Sequence, residues 1–307
     1  MMNLLNPGST RRRWQLCAMG AGLLLAAGAF GATYRTGSEI LASAQPSDWR
    51  NLDPQHTLYM ELPMGRVIIE LAPAFAPNTV ANIEALAQEH YFDGLAILRV
   101  QDNWVVQWGD PDDKRKSAHS DAVVKAEFTV PISDKIPFTP LPDADGYAPQ
   151  SGFSNSLPAA RDPKAGQTWL THCYGSIGVG RDNSPDSGNG TSLYAVLGPA
   201  RILDRDITVV GRVLQGMELL STLPRGPAPM GFYAKPEQYV TITSIKRASD
   251  LPVAERTPLQ VLRTDTPLFA ELVEARRNRH DEWSRRQAGY IDVCSLNVPV
   301  RVAPATP

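Results

Sequence analysis

The chain has 307 residues, of which 43% are apolar and 20% charged. That balance excludes a disordered chain and supplies enough apolar surface for one full core with appendages. A formal charge of −2 leaves no electrostatic footprint for nucleic acid, and 26 prolines, clustered in a few stretches, imply long extended loops.

The first 44 residues read apart from the rest. Arg11, Arg12 and Arg13 precede an Ala/Gly-rich apolar run at 16–32, the layout of a secretory signal and close to the length of a membrane anchor. Ala27-Gly28-Ala29 and Ala42-Ser43-Ala44 both offer small-x-small cleavage sites. Either cut removes more basic than acidic residues and leaves a mildly acidic protein. The sequence therefore predicts export, to the periplasm, with 16–32 holding the chain at the inner membrane if it is not cleaved.

Thr57–Leu62 and residues 66–71 read as strands around Pro63-Met64-Gly65, a hairpin signal. Asn78 offers an N-cap for a helix to about Glu89, with Val80, Ile83 and Ala87 on one face. Residues 91–110, YFDGLAILRVQDNWVVQWGD, run turn, strand (97–100), turn, strand (104–107). Arg99 and Gln107 are polar side chains within these apolar strands. Two readings stand: a polar pair facing an apolar cleft, or an arginine snorkelling from an edge beside a solvated amide.

Residues 111–168 are polar, proline-rich and nearly aperiodic, which predicts a long loop insertion covering part of the fold or a cleft rim. Short strands follow near 177–179, 193–197, 209–213 and 239–245, with a short helix at 216–222 and a second proline-rich loop, LPRGPAPMGFYAKPEQ, at 223–238. After Arg247 the composition changes. Thr266 caps and Pro267 starts a helix to about Arg279, with Leu268, Phe269, Leu272 and Val273 as its stripe. It is a tail helix docked on the core, or a basic handle for an acidic partner.

Five histidines show no metal-binding spacing, and the glycines at 175, 178 and 180 lack the helix and acidic partner of a dinucleotide site. His172 and Cys173 are adjacent and point apart on a strand, which argues against a thiol nucleophile. No cofactor is expected. Apart from Cys17, only Cys173 and Cys294 remain, and in an oxidising compartment they are either a disulfide or two buried thiols.

Residues 91–110 resemble the signature of the cyclophilins. In register, Arg99 takes the family's catalytic arginine position and Gln107 its substrate-holding glutamine. Trp104 and Val105 fall on the aromatic and methionine positions of the proline pocket. Three further blocks follow in the family's order: LPMGRVIIELAPAFAPNTVANIEALA at 62–87, then 175–179 with 190–196, then LDRDITVVGRVLQGMELL at 203–220. Departures are Ile97 and Leu98 for phenylalanine and histidine, Trp108 for glycine, Ser192 for glutamine, and Ile202 and Ile207 for a pocket tryptophan and histidine. Arg181 stands near a common asparagine.

The resemblance implies a mainly β fold: a closed eight-stranded antiparallel barrel with two capping helices, over residues 56–248. Residues 1–44 would then be signal or anchor plus linker, about 111–168 a loop insertion, and 249–307 a C-terminal extension with one helix. It also implies peptidyl-prolyl cis–trans isomerisation of proline-containing clients, with Arg99 catalytic. Gln107, Trp104, Val105, Ser192, Tyr194 and Leu203 would bind substrate. The competing class is a binding module or holdase that keeps the fold and isomerises little. No nucleic-acid partner is implied, and a membrane only if the N-terminal segment stays uncleaved.

Overall fold

Hydrophobic alternation decides the architecture. In the hairpin that opens the fold, Leu58, Met60 and Leu62 face one side with Val67, Ile69 and Leu71, while Tyr59 and Ile68 face the other. Both sets are buried, so this part of the sheet is covered on both faces.

The computed structural model describes residues 34–304 apart from 113, 119, 120 and 122. In chain order it contains α1 (Gly37–Ala42), β1 (Trp49–Asn51), β2 (Thr57–Leu62), β3 (Gly65–Leu71), α2 (Pro77–Gln88), β4 (Ala96–Val100) and β5 (Val105–Gly109). Then come β6 (Val130–Pro131), β7 (Thr139–Pro140), β8 (Gln150–Ser154), β9 (Leu157–Asp162), β10 (Gln167–Leu170), β11 (Ser176–Val179) and β12 (Leu193–Val196). Last are β13 (Val209–Gln215), α3 (Met217–Ser221), β14 (Val240–Thr241), β15 (Ser244–Arg247), β16 (Leu259–Leu262), α4 (Pro267–Arg277) and β17 (Val300–Val302).

The largest sheet has nine strands in the order β14-β4-β5-β12-β11-β13-β3-β2-β15, all paired antiparallel. It is a curled sheet, in place of the closed eight-stranded barrel that the resemblance implies. The difference lies in the expected last strand, 239–245. The chain leaves one edge strand for the other at Ile242–Thr243, where the Ile242 N–H donates to Leu95 O at 2.8 Å and the Thr243 N–H donates to Glu61 O at 2.8 Å. Strand β14 therefore belongs to the β4 edge and β15 to the β2 edge. The core inside the curl includes Met60, Ile83, Trp108, Ile177 and Val210.

Helix α2 starts at Pro77 with Ala76 as its cap residue, not at Asn78. Proline suits the first helical position, which moves the boundary back, and the cap comes from elsewhere. The Glu127 carboxylate accepts from the backbone N–H groups of Asn78 and Thr79 at 3.0 and 2.9 Å, where an acidic group also matches the helix dipole.

The insertion is a sheet rather than a loop, with five strands in the order β6-β10-β9-β8-β7. Strands β8 and β9 form a two-residue hairpin at Asn155 and Ser156, both with positive φ, 47° and 68°. That geometry belongs to a primed turn matching the strand twist. The C-terminal extension holds strands beside its helix α4, because β16 joins β1 and β17 in a three-stranded sheet.

These outlying segments pack as one. Ile40 of α1, Phe153 of the insertion, and Val261, Phe269, Leu272 and Val293 of the C-terminal extension share a core with Cys173. Helix α4 is capped by the Thr266 hydroxyl, which accepts from the Phe269 N–H, and it docks Phe269, Leu272 and Val273 inward. Cys173 and Cys294 are joined by a disulfide across a sequence separation of 121. The Arg50 fork holds Glu70 at 2.5 and 2.9 Å and also donates to Asn155 O at 2.8 Å, tying β1, β3 and the insertion together. Among the described residues no helix is long and apolar enough to cross a membrane. The apolar run at 16–32 lies outside the described residues.

Candidate active site

A β-bulge orients the arginine. Ile97 pairs with Trp108 and Arg99 with Gln107, so Leu98 is the extra residue between them. Without it, Arg99 would fall out of step with Gln107; with it, both side chains project from the same face of the sheet. Trp108 and Ile97 point the opposite way into the core.

Arg99 is held by three acceptors. Its Nη1 donates to Gln107 Oε1 at 2.9 Å, its Nε to the Met230 carbonyl at 2.7 Å, and its Nη2 to Gln101 Oε1. Gln107 Nε2 in turn donates to Ser192 Oγ at 3.0 Å. The row Arg99–Gln107–Ser192 runs from β4 across β5 to the residue just before β12. Burial lowers the Arg99 guanidinium from its ordinary value, yet a guanidinium keeps its charge at neutral pH. Three of its five N–H groups are engaged, which leaves two for a ligand.

The apolar residues named from the sequence also converge. Val105 and Tyr194 are 2% and 5% exposed, and they cluster with Val196 and Ala200 against Trp104, Leu203 and Ile207. Tyr194 pairs with Gln107, and Val196 with Val105, so this cluster shares the face that carries the polar row. A Cβ on Gly178 would lie 2.2 Å from Tyr194 Cζ, so the tyrosine ring lies on bare backbone. Burial raises the Tyr194 hydroxyl well above its usual range, so the group stays protonated and donates.

Several site residues were not evident from the sequence. Residues 223–238 run along β4 beyond its pairing with β14: the Tyr233 N–H donates to Leu98 O and the Val100 N–H to Gly231 O, each at 2.9 Å. Gly231, with φ 73°, makes the approach possible, since a Cβ there would come within 2.6 Å of Gln101 Cα. This places the exposed Phe232 ring 5.0 Å from the Arg99 guanidinium. Gln107, Ser192, Arg181, Leu98 and Phe232 line one open cleft of about 400 Å³. Ile202, by contrast, is 70% exposed. The Gly226-Pro227-Ala228-Pro229 run marks a tight path in this loop, but the sequence does not show that the loop lies along β4.

The family described as "Cyclophilin type peptidyl-prolyl cis-trans isomerase/CLD" matches residues 57–247. A probable peptidyl-prolyl cis-trans isomerase of Brucella suis is 28% identical over 196 residues, covering 62% of this chain and 83% of that protein. The human peptidyl-prolyl cis-trans isomerase-like 1 is 22% identical over 181 residues, covering 59% and 84%. The crystal structure of cyclophilin AquaCyp293 from Hirschia baltica superposes with a TM-score of 0.68 at 28% identity. It covers 88% of this chain and 99% of that one, so the likeness reaches past the family-matched segment.

Proposed function

Because the chain belongs to the cyclophilin-type peptidyl-prolyl cis-trans isomerase family, we propose that it isomerises X-Pro bonds at Arg99, with Gln107 and the Tyr194 cluster as the substrate-binding surface. The observation that carries this reading is the bulge-aligned Arg99–Gln107 pair beside a buried apolar cluster on one sheet face.

The chemistry follows from amide resonance. Rotation about an X-Pro bond crosses a barrier of about 20 kcal/mol because the twisted amide loses its conjugation. Twisting makes the proline nitrogen pyramidal and basic. A guanidinium N–H aimed at that nitrogen stabilises the twisted state and not the planar one, which is the condition for lowering a barrier. With three N–H groups fixed, Arg99 meets this nitrogen already oriented. Trp104, Val105, Tyr194 and Leu203 hold the proline ring, and Gln107 and Ser192 hold the peptide backbone. Lysine at position 99 would supply one mobile charge without the planar fork.

The clients are exported polypeptides on this reading. The arginines before the apolar run at 16–32, together with a disulfide that persists only outside a reducing compartment, support a periplasmic protein. A binding-module reading draws on the Met230 carbonyl, which already occupies one Arg99 donor. Isomerisation of a short X-Pro peptide by wild type and Arg99→Ala separates the two. Turnover lost with peptide binding retained supports catalysis, and binding without turnover in the wild type supports the module.

A further inference from the structure

Behind the apolar cluster runs a chain of buried polar side chains that the isomerase chemistry does not use. Tyr194 Oη is 3.0 Å from His172 Nε2, and His172 Nδ1 is 3.1 Å from Asp204 Oδ1, which also accepts the His172 backbone N–H at 2.9 Å. Arg201 Nε donates to Asp204 Oδ2 at 2.6 Å, and its Nη1 and Nη2 fork onto Asp145 at 2.8 and 3.2 Å. Asp145 further accepts from the backbone N–H groups of Tyr147 and Ala148. His172 is fully buried, and the side chains of Arg201, Asp204 and Asp145 are 2–4% exposed.

The protons on this chain are dictated by its ends. Burial alone would raise the Asp204 carboxyl, but hydrogen bonds from His172 and Arg201 and the Arg201 charge reverse this and hold it below the usual carboxylate range. An ionised carboxylate only accepts, so Nδ1 of His172 carries a proton, and in the neutral imidazole Nε2 then offers its lone pair. Tyr194 must then donate to Nε2. A buried phenol without an acceptor is costly, and here the acceptor also fixes where the ring lies. The same chain anchors the short 3₁₀ turn Arg201–Leu203, whose Leu203 packs on the Tyr194 cluster.

We propose that His172 is a positioning residue for the proline pocket, and that it ties the pocket floor to the insertion through Asp204, Arg201 and Asp145. The proposal rests on the reading of the Tyr194 cluster as the pocket. His172 touches no substrate and acts through Tyr194. Asp145 belongs to the insertion, so the five-stranded sheet is a brace for the pocket, reaching it through one buried arginine.

The test is NMR exchange on an Ala-Pro peptide, which yields peptide affinity and the bound-state exchange rate separately. It compares wild type, Tyr194→Phe, His172→Leu and His172→Gln, each at a temperature where its circular dichroism is native. Tyr194→Phe and His172→Leu are expected to weaken peptide affinity three- to tenfold with the bound-state rate within twofold of wild type. His172→Gln, whose amide can donate to Asp204 and accept from Tyr194, should stay within twofold in affinity. Unchanged affinity in Tyr194→Phe, or a loss in His172→Gln equal to that in His172→Leu, would overturn the proposal. Should His172→Leu not fold, the other two variants decide. Arg99→Ala in the same assay isolates the underlying site reading, which fails if that variant keeps its exchange rate whatever the His172 variants do.

Discussion

Replacing both Cys173 and Cys294 by alanine removes the disulfide that cross-links the segment before β11 to the C-terminal extension. The bridge spans a separation of 121 residues, and in the chain-entropy treatment a loop of that size restricts the unfolded chain by about 5 kcal/mol at 25 °C. Native packing adds little to this, because Cys173 lies in an apolar core that an alanine side chain also suits. Small and medium domains have about 5–15 kcal/mol of total stability, so the loss should be a large fraction of the whole. The assay is urea unfolding of the oxidised protein, of the double variant, and of the wild type under dithiothreitol. The double variant should unfold at clearly lower urea, and the reduced wild type should match it. The unfolded chain, freed of its cross-link, should also expose more surface and steepen the transition. A stability difference under about 1 kcal/mol, far below the loop-closure value, would refute the reasoning and show that packed segments alone hold the extension in place.

Three other outcomes follow from named contacts. Beginning the chain at Arg35 should leave the fold intact, whereas beginning it after Ala44 removes fully buried Ile40 and the Arg35–Glu271 pair. The second truncation should lower stability by about 2–3 kcal/mol, chiefly from one buried aliphatic side chain, and equal melting of the two truncations would contradict this. Glu127→Ala strips the acceptor from the first turn of α2 and should cost about 1–2 kcal/mol, read by thermal unfolding; an unchanged melting temperature would show that water serves equally well. Asp145 and Asp204 both have folded pKa values below the ordinary one: burial would raise them, but hydrogen bonds to Asp204 from His172 and Arg201 and to Asp145 from Arg201 and the Tyr147 N–H, with the Arg201 charge, more than reverse it. Their stabilisation is therefore fully present above the unfolded carboxylate pKa of about 3.9 and is lost as pH falls through the lower folded values. Arg201→Gln should be markedly less stable than wild type at pH 7, with the gap closing below about pH 4; a gap independent of pH would count against it.

The sequence made the candidate site more legible than the scaffold around it. Arg99 and Gln107 stood out because polar side chains interrupt apolar strands, and Trp104, Val105, Tyr194 and Leu203 could be placed by family register. The bulge at Leu98 that aligns the pair leaves no mark in the pattern, since a one-residue offset is invisible in so short a strand. The insertion reads as loop in the sequence because its strands are short and its turn, Asn155-Ser156, lacks the glycine that usually announces a hairpin. Strands β16 and β17 escaped for another reason: their partners lie far away in sequence, and β1 is only three residues long. The split at Ile242–Thr243 reflects competition between two sheet edges, which no local propensity encodes. Burial of His172 was equally hidden, because its partners Tyr194 and Asp204 are 22 and 32 residues away.

The central claim is that Arg99 stabilises the twisted X-Pro bond. Its most direct test is the isomerisation rate of a short X-Pro peptide with the chain from Arg35 onward, beside Arg99→Ala and Arg99→Lys, with peptide affinity measured in parallel. Removing a preorganised donor to a transition state typically lowers the rate about 10²–10³-fold. Arg99→Ala should show a loss of that order while still binding peptide, and Arg99→Lys should recover little of it. Wild-type rates in Arg99→Ala would contradict the account and move the catalytic role elsewhere on the sheet.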